Sequence, residues 1–90
     1  MSVTVNLTPY FHDITKRNFI LEANGNTVQE IIENIDQKYP GFKKECIDEQ
    51  GRLHSFLEIY INQESAFPDE LKRKVNDNDE VTILTVIGGG

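Results

Sequence analysis

Apolar and polar side chains alternate at the start of the chain. Val3, Val5 and Leu7 are separated by polar residues, which is the period of a β-strand with one buried face. The run 18–22, which is apolar at its three central positions, predicts a second strand, and the turn cluster 23–26 follows it. We expect the two strands to pair as an antiparallel hairpin.

The period becomes that of an α-helix after Thr27. Apolar residues then recur every three or four positions and form one stripe: Val28, Ile31, Ile32, Ile35 and Tyr39. Thr27 and Glu30 have the spacing of a capping box, in which the hydroxyl and the carboxylate each satisfy an unpaired backbone N–H. Pro40 and Gly41 predict the end of this helix, and residues 42–47 fit one further helical turn.

The second half of the chain contains two more predicted strands. In the run 56–61, Leu57, Ile59 and Ile61 share the face that we place toward the helix. Between the two strands, residues 67–68 indicate a short edge piece and residues 70–75 a brief helical turn. The last run, 81–87, is apolar on both faces over most of its length, which is typical of a strand in the middle of a sheet or of a strand with one face that a partner covers. The pattern predicts an α+β fold, a mixed sheet with one main helix packed across it.

Composition supports a single folded domain. Among 90 residues, 38% are hydrophobic and 27% charged, a balance that opposes disorder. We expect a domain over residues 1–87 and a flexible tail over residues 88–90. The net charge of -6 makes nucleic acid and anionic membranes unfavourable partners. The acidic residues are interpreted as a solvated surface rather than a dedicated docking patch, although they would still attract a basic protein.

Thiol and imidazole chemistry finds little support. Cys46 is the only cysteine, so the chain can form neither an intrachain disulfide nor a cysteine-based zinc site. We interpret it as a buried small hydrophobe rather than a nucleophile or persulfide carrier. His12 and His54 have no companion motif and are interpreted as surface or hydrogen-bonded structural residues. Without a signal peptide or a membrane-spanning run, the expected location is the cytoplasm.

Three glycines, Gly88, Gly89 and Gly90, follow directly after the last strand. The simplest interpretation is a frayed end with no task. Glycine has no Cβ, however, so such a tail can enter a narrow channel and leave its last carbonyl open to attack. We therefore treat the carboxylate of Gly90 as the candidate reactive group.

The whole chain resembles the MoaD/ThiS family of ubiquitin-like sulfur carriers. The resemblance rests on the strand–strand–helix opening, the segments 53–62 and 77–81, and the ending 86–90. The segment 53–62 and the ending look closest to members that serve cysteine biosynthesis. Gly88 stands where relatives often carry Ala or Thr, so the diglycine proper is Gly89 and Gly90.

The resemblance implies a β-grasp fold and a carrier without catalytic activity of its own. A partner adenylating enzyme would use ATP to activate the Gly90 carboxylate as an acyl-adenylate, and a sulfur donor would then convert it to a thiocarboxylate. A sulfur-accepting synthase would consume the product. The resemblance implies no bound cofactor, no metal site and a monomer when free.

The family meets its enzymes through the sheet face beside the tail. Alternation along the last strand directs Leu84 and Val86 away from the helix. The expected partner-binding residues on this face and beside it are Phe56, Tyr60, Leu84, Val86 and Ile87. The alternative is that loops cover this face and the same side chains are core.

Two other functions fit the same sequence. A covalent modifier would join Gly90 to lysine amines of target proteins, and a non-covalent β-grasp binding module would not use the tail at all. The sulfur acceptor also stays open among cysteine, molybdopterin and thiamin, with the segment 53–62 favouring cysteine. Whether a longer precursor is trimmed to Gly90 is a further open point.

Overall fold

Backbone pairing joins five strands into one mixed sheet in the computed structural model, which describes residues 2–86. The strands are β1 (Ser2–Leu7), β2 (Ile20–Asn24), β3 (Leu57–Ile61), β4 (Glu64–Ser65) and β5 (Glu80–Thr85). The helices are α1 (Val28–Lys38) and α2 (Phe42–Cys46), and short 3₁₀ turns span Pro9–Phe11 and Glu70–Lys72. Neither α-helix in the described range has the length and apolar character needed to cross a bilayer.

The strand order across the sheet is β2-β1-β5-β3-β4. β5 lies at the centre, parallel to β1 and antiparallel to β3. β1 and β2 pair in antiparallel fashion, as predicted for the opening hairpin. The predicted mixed sheet with one main helix and a central last strand is therefore confirmed.

Residue parity separates the two faces of β1, β2, β3 and β5. Odd-numbered side chains point toward α1, and most of them are buried: Val3, Val5, Leu7, Ala23, Leu57, Ile59, Val81 and Ile83. They pack against the predicted helical stripe of Val28, Ile31, Ile32 and Ile35. Even-numbered side chains point the other way, and none of them is buried. We call this second surface, formed by the even-numbered strand residues, the outward face.

At the start of α1, one of the two hydrogen bonds of the predicted capping box is present, and the other has a different donor. The Thr27 hydroxyl accepts a hydrogen bond from the Glu30 N–H at 3.2 Å. The Glu30 carboxylate accepts from the N–H of Asn26 at 2.8 Å, one residue earlier than a capping box requires. A backbone bridge between Thr27 and Lys74 fixes the chain at this point.

Two predicted boundaries were wrong, and a third lies outside the described residues. β2 begins and ends two residues later than the run 18–22, because Ala23 and Asn24 pair with β1 despite their turn propensity. The edge piece is β4 rather than residues 67–68, because a turn at Asn62 and Gln63, both with positive φ, reverses the chain earlier. β5 ends at Thr85 within the described range, and the predicted last strand residue, Ile87, lies outside it.

An acidic turn before β5 ties three strands together. Asp79 accepts hydrogen bonds from the Asn62 amide at 2.9 Å and from the Asn76 N–H at 2.7 Å. These bonds lower the pKa of Asp79, because both donors favour the charged carboxylate. The Asp79 carbonyl also accepts from the Thr4 N–H at 3.0 Å. The N-terminal end of β5 is thus held against both of its neighbours.

Adjacent residues of β5 should respond differently to truncation. Ile83 is fully buried, so we expect Ile83→Ala to lower the free energy of unfolding by about 2–5 kcal/mol. Leu84 is only half-buried on the outward face, so Leu84→Ala should lower the free energy of unfolding by less than about half of the loss for Ile83→Ala. Urea denaturation of both variants measures the difference. Equal losses would show that the outward face is packed as tightly as the core.

Candidate functional site at the end of the last strand

The candidate site begins where β5 ends. Val81 and Ile83 are fully buried on the inward face, and β1 and β3 flank the strand on both sides. Pairing continues one residue past the strand, since the Val86 N–H donates to the Phe56 carbonyl at 2.7 Å. Residues 87–90 follow directly from this anchored point. They lie outside the described residues, so the reactive tail of Gly88, Gly89 and Gly90 stays a prediction.

An aromatic cluster surrounds the Phe56 backbone that holds Val86. The ring of Phe56 contacts Tyr10 edge-on at 5.4 Å between centroids and stacks on His54 at 5.2 Å. Tyr10 in turn contacts Phe11, a core residue, at 5.1 Å. The cluster joins the end of β5 to the first 3₁₀ turn. The local sequence pattern does not indicate this position for Tyr10, because Tyr10 is far from Phe56 in the chain and only the sheet brings the two together.

His54 has a structural role in this cluster. Its Nε2 lies 3.1 Å from the carbonyl oxygen of Lys44. A carbonyl can only accept, so Nε2 carries the hydrogen and donates it. His12 lies against the edge of Phe19, with 5.8 Å between ring centroids. Both histidines therefore fit the structural interpretation made from the sequence.

The structure places three predicted partner-binding residues on one open surface. Tyr60 and Leu84 are half-buried on the outward face, and Val86 is 39% exposed beside them. Phe56 is half-buried at the end of the sheet and packs partly against the core. No loop or helix from residues 2–86 buries this surface. Its role in binding stays a prediction, and Ile87 lies outside the described residues.

A fixed carboxylate lies within this surface. Glu58 is directly opposite Leu84 in the β3–β5 register, and Tyr60 is opposite Thr82. The Tyr60 hydroxyl donates a hydrogen bond to the Glu58 carboxylate at 3.1 Å. This bond raises the pKa of Tyr60, because the ionised phenol could not donate it and would face a neighbouring negative charge.

The remaining candidate for sulfur chemistry, Cys46, is buried at the end of α2. Burial raises the pKa of its thiol strongly, and the nearby carboxylates of Glu45 and Asp36 add to the effect. The thiol therefore stays protonated at neutral pH and is a poor nucleophile. Within the described part of the chain, no group of His, Cys, Asp and Glu side chains is arranged to hold a metal ion.

The sequence matches the family model described as the ThiS family over residues 7–90. No curated protein sequence matches the chain.

Several solved structures share the whole fold. A chain of the Amycolatopsis orientalis BexX/CysO complex is 35% identical, with a TM-score of 0.88 and coverage of 98% of this chain and 99% of that one. Mycobacterium tuberculosis CysO is 31% identical, with a TM-score of 0.87 and coverage of 94% and 99%. The small archaeal modifier protein 1 of Methanosarcina acetivorans is 25% identical, with a TM-score of 0.81 and coverage of 99% and 96%.

The sheet order, the single main helix and these structural neighbours define a small ubiquitin-like protein with a β-grasp fold. Members of the matched family are carrier proteins rather than enzymes. The chain belongs to the ThiS family. The resemblance to ubiquitin-like sulfur carriers, and to the CysO type among them, is thereby confirmed.

The protection of Cys46 can be tested by alkylation. At neutral pH we expect iodoacetamide to modify folded protein at least about ten-fold more slowly than urea-unfolded protein, because the thiol is buried and protonated. Mass spectrometry of quenched time points measures both rates. Equal alkylation rates in folded and unfolded protein would show that the thiol is accessible, and Cys46 would again be a candidate sulfur carrier.

Proposed function

We propose that this protein is a sulfur carrier whose Gly90 carboxylate is adenylated by a partner enzyme and converted to a thiocarboxylate. Membership of the ThiS family over residues 7–90, which includes the terminal glycines, is the observation that carries the proposal. The protected state of Cys46 supports it further, because the only thiol of the chain is poorly suited to carry sulfur itself. The carrier itself binds no cofactor in this scheme, and the partner enzyme uses the ATP.

The chemistry of a carboxylate explains why activation is needed. At neutral pH the Gly90 carboxylate is an anion and resists nucleophilic attack. One of its oxygens would attack the α-phosphorus of ATP and displace pyrophosphate, leaving an acyl-adenylate. Sulfide (HS⁻) from the donor would then attack the acyl carbon, forming the C–S bond as the C–O bond to AMP breaks and AMP leaves. The product is a thiocarboxylate, which a sulfur-accepting synthase can consume.

The globular body contributes positioning. β5 is anchored by its neighbours and by two buried side chains, Val81 and Ile83, up to the pairing of Val86 with Phe56. An enzyme that binds the globular domain therefore also restricts the positions that the following four residues can occupy. Such restriction turns an encounter of two molecules into an effectively intramolecular step.

Cysteine biosynthesis is the pathway that we favour as the destination of the sulfur, over the biosynthesis of molybdopterin and of thiamin. The segment 53–62 suggested it from the sequence, and the structural similarity to the CysO proteins supports it. The A. orientalis relative was crystallised as a complex with BexX, which agrees with a protein that works by docking to others.

The decisive experiment removes the last residue. Full-length protein is incubated with the adenylating enzyme of the same organism, ATP and a sulfide source, and intact mass is measured. We expect one oxygen of the C-terminal residue to be replaced by sulfur, with fragmentation locating the change at Gly90. Deletion of Gly90 should abolish this product without changing the circular dichroism spectrum. Gly88→Ala is the matched control and should be charged like the wild type.

Two results would contradict the proposal. One is a wild-type chain that keeps its carboxylate while a known carrier is charged by its own enzyme in parallel. The other is full biological activity of the variant that lacks Gly90, which would instead favour a non-covalent binding module.

A covalent modifier is the second candidate function. The similarity to the M. acetivorans small archaeal modifier protein, at a TM-score of 0.81, is the observation that favours it. The Gly88→Arg variant supplies a tryptic cleavage site directly before Gly89. If the protein is a modifier, we expect tryptic digestion of cells with this variant to leave a Gly-Gly remnant on lysines of target proteins. Absence of such remnants in cells that contain the thiocarboxylate form would support the carrier alone.

A further inference from the structure

The outward face carries charge of one sign. Its charged side chains within residues 2–86 are Glu22 on β2, Glu58 on β3 and Glu80 on β5. None of the described strands contains a lysine or arginine, although the chain has nine of them. The basic residues belong to the helices and connections. Among the described strand residues, the apolar strip of Leu84 and Val86 therefore has a carboxylate and no cation beside it, whereas Arg52 and Lys72, from outside the strands, line the groove that contains Glu58 and Val86.

Glu58 is the carboxylate closest to this strip in the sheet. It is exposed and directly opposite Leu84, and side chains opposite each other in antiparallel strands have Cβ atoms about 5 Å apart. A surface that covers Leu84 must therefore also remove water from Glu58. The Tyr60 hydroxyl holds one of its oxygens and limits its ability to swing away.

Removing water from an unpaired carboxylate is costly. An ion that is buried without a counter-ion loses its hydration, and this penalty would cancel much of the gain from covering one leucine and one valine. An arginine or lysine placed at the same point offsets this penalty and directs the encounter through opposite charge. A partner that lacks such a cation is correspondingly rejected.

We propose that the enzyme that docks over Leu84 and Val86 presents an arginine or lysine to Glu58, and that this pair selects the partner. The inference rests on the proposed function, since it describes how the adenylating enzyme recognises the carrier. A second copy of this chain is the wrong occupant, because two outward faces would bring carboxylates against carboxylates.

The test compares two neutralising variants of the full-length chain. Binding to the adenylating enzyme of the same organism is measured by surface plasmon resonance at low and at physiological salt. We expect Glu58→Gln to weaken binding about ten-fold or more, because the cation of the enzyme is left unpaired. Glu49→Gln, at an exposed position outside the strands, is the matched control and should change binding less than about two-fold. Wild-type binding should weaken as salt rises, and the Glu58→Gln variant should show a smaller dependence.

Further readouts separate this role from a structural one. Glu58 is exposed, so the thermal unfolding midpoint of Glu58→Gln should stay close to that of the wild type. Glu58→Asp keeps the charge and should recover part of the binding. Wild-type affinity for the Glu58→Gln variant, or tighter binding, would overturn the inference. A concentration-dependent dimer that Glu58→Gln strengthens would also overturn it and would identify a second copy as the occupant.

The inference and the proposed function fail in different ways. If the wild type and Glu58→Gln are both charged with sulfur and bind equally well, only the inference is wrong. If binding depends on Glu58 but no thiocarboxylate forms at saturating enzyme, only the proposed function is wrong. Deletion of Gly90 should leave the Glu58-dependent contact in place while abolishing charging.

Discussion

The hold on β5 is the constraint on which the rest of this structure depends. Backbone hydrogen bonds join β5 to β1 on one side and to β3 on the other. Two of its side chains, Val81 and Ile83, are fully buried on the face toward α1. Because β5 is the last strand, the same packing that closes the core also sets where the C-terminal residues begin. In the proposed function, stability and activity therefore depend on the same strand, and a loosened core would also displace the start of the tail.

Parity along the strands gives the sheet two separate tasks. The inward face supplies the core, whereas the outward face has no covering element within residues 2–86. In the proposed function, the side chains of this outward face are the ones that a docking enzyme would contact. Leu84 supplies apolar area there and Glu58 supplies charge, so one surface can provide both affinity and selection.

The placement of Cys46 complements the proposed chemistry of the tail. A thiol that is buried and kept protonated does not compete with a terminal acyl group for sulfur or for electrophiles. At the end of β5, the aromatic cluster of Tyr10, Phe56 and His54 supports the backbone that pairs with Val86. In the proposed function, the molecule thus separates a chemically quiet interior from the end on which other proteins would act.

Local pattern was enough to predict much of this protein from its sequence. The helix stripe from Val28, the alternation in β1 and the two-faced apolar run of β5 follow from side-chain period, which the amino-acid order determines directly. Tertiary structure decided what depends on distant pairing. Ala23 and Asn24 joined β2 because β1 offered them partners, and Tyr10 met Phe56 because the sheet brought the ends of β1 and β5 together. The placement of Glu58 beside Leu84 was likewise settled only by register, because it depends on two strands that are far apart in the chain.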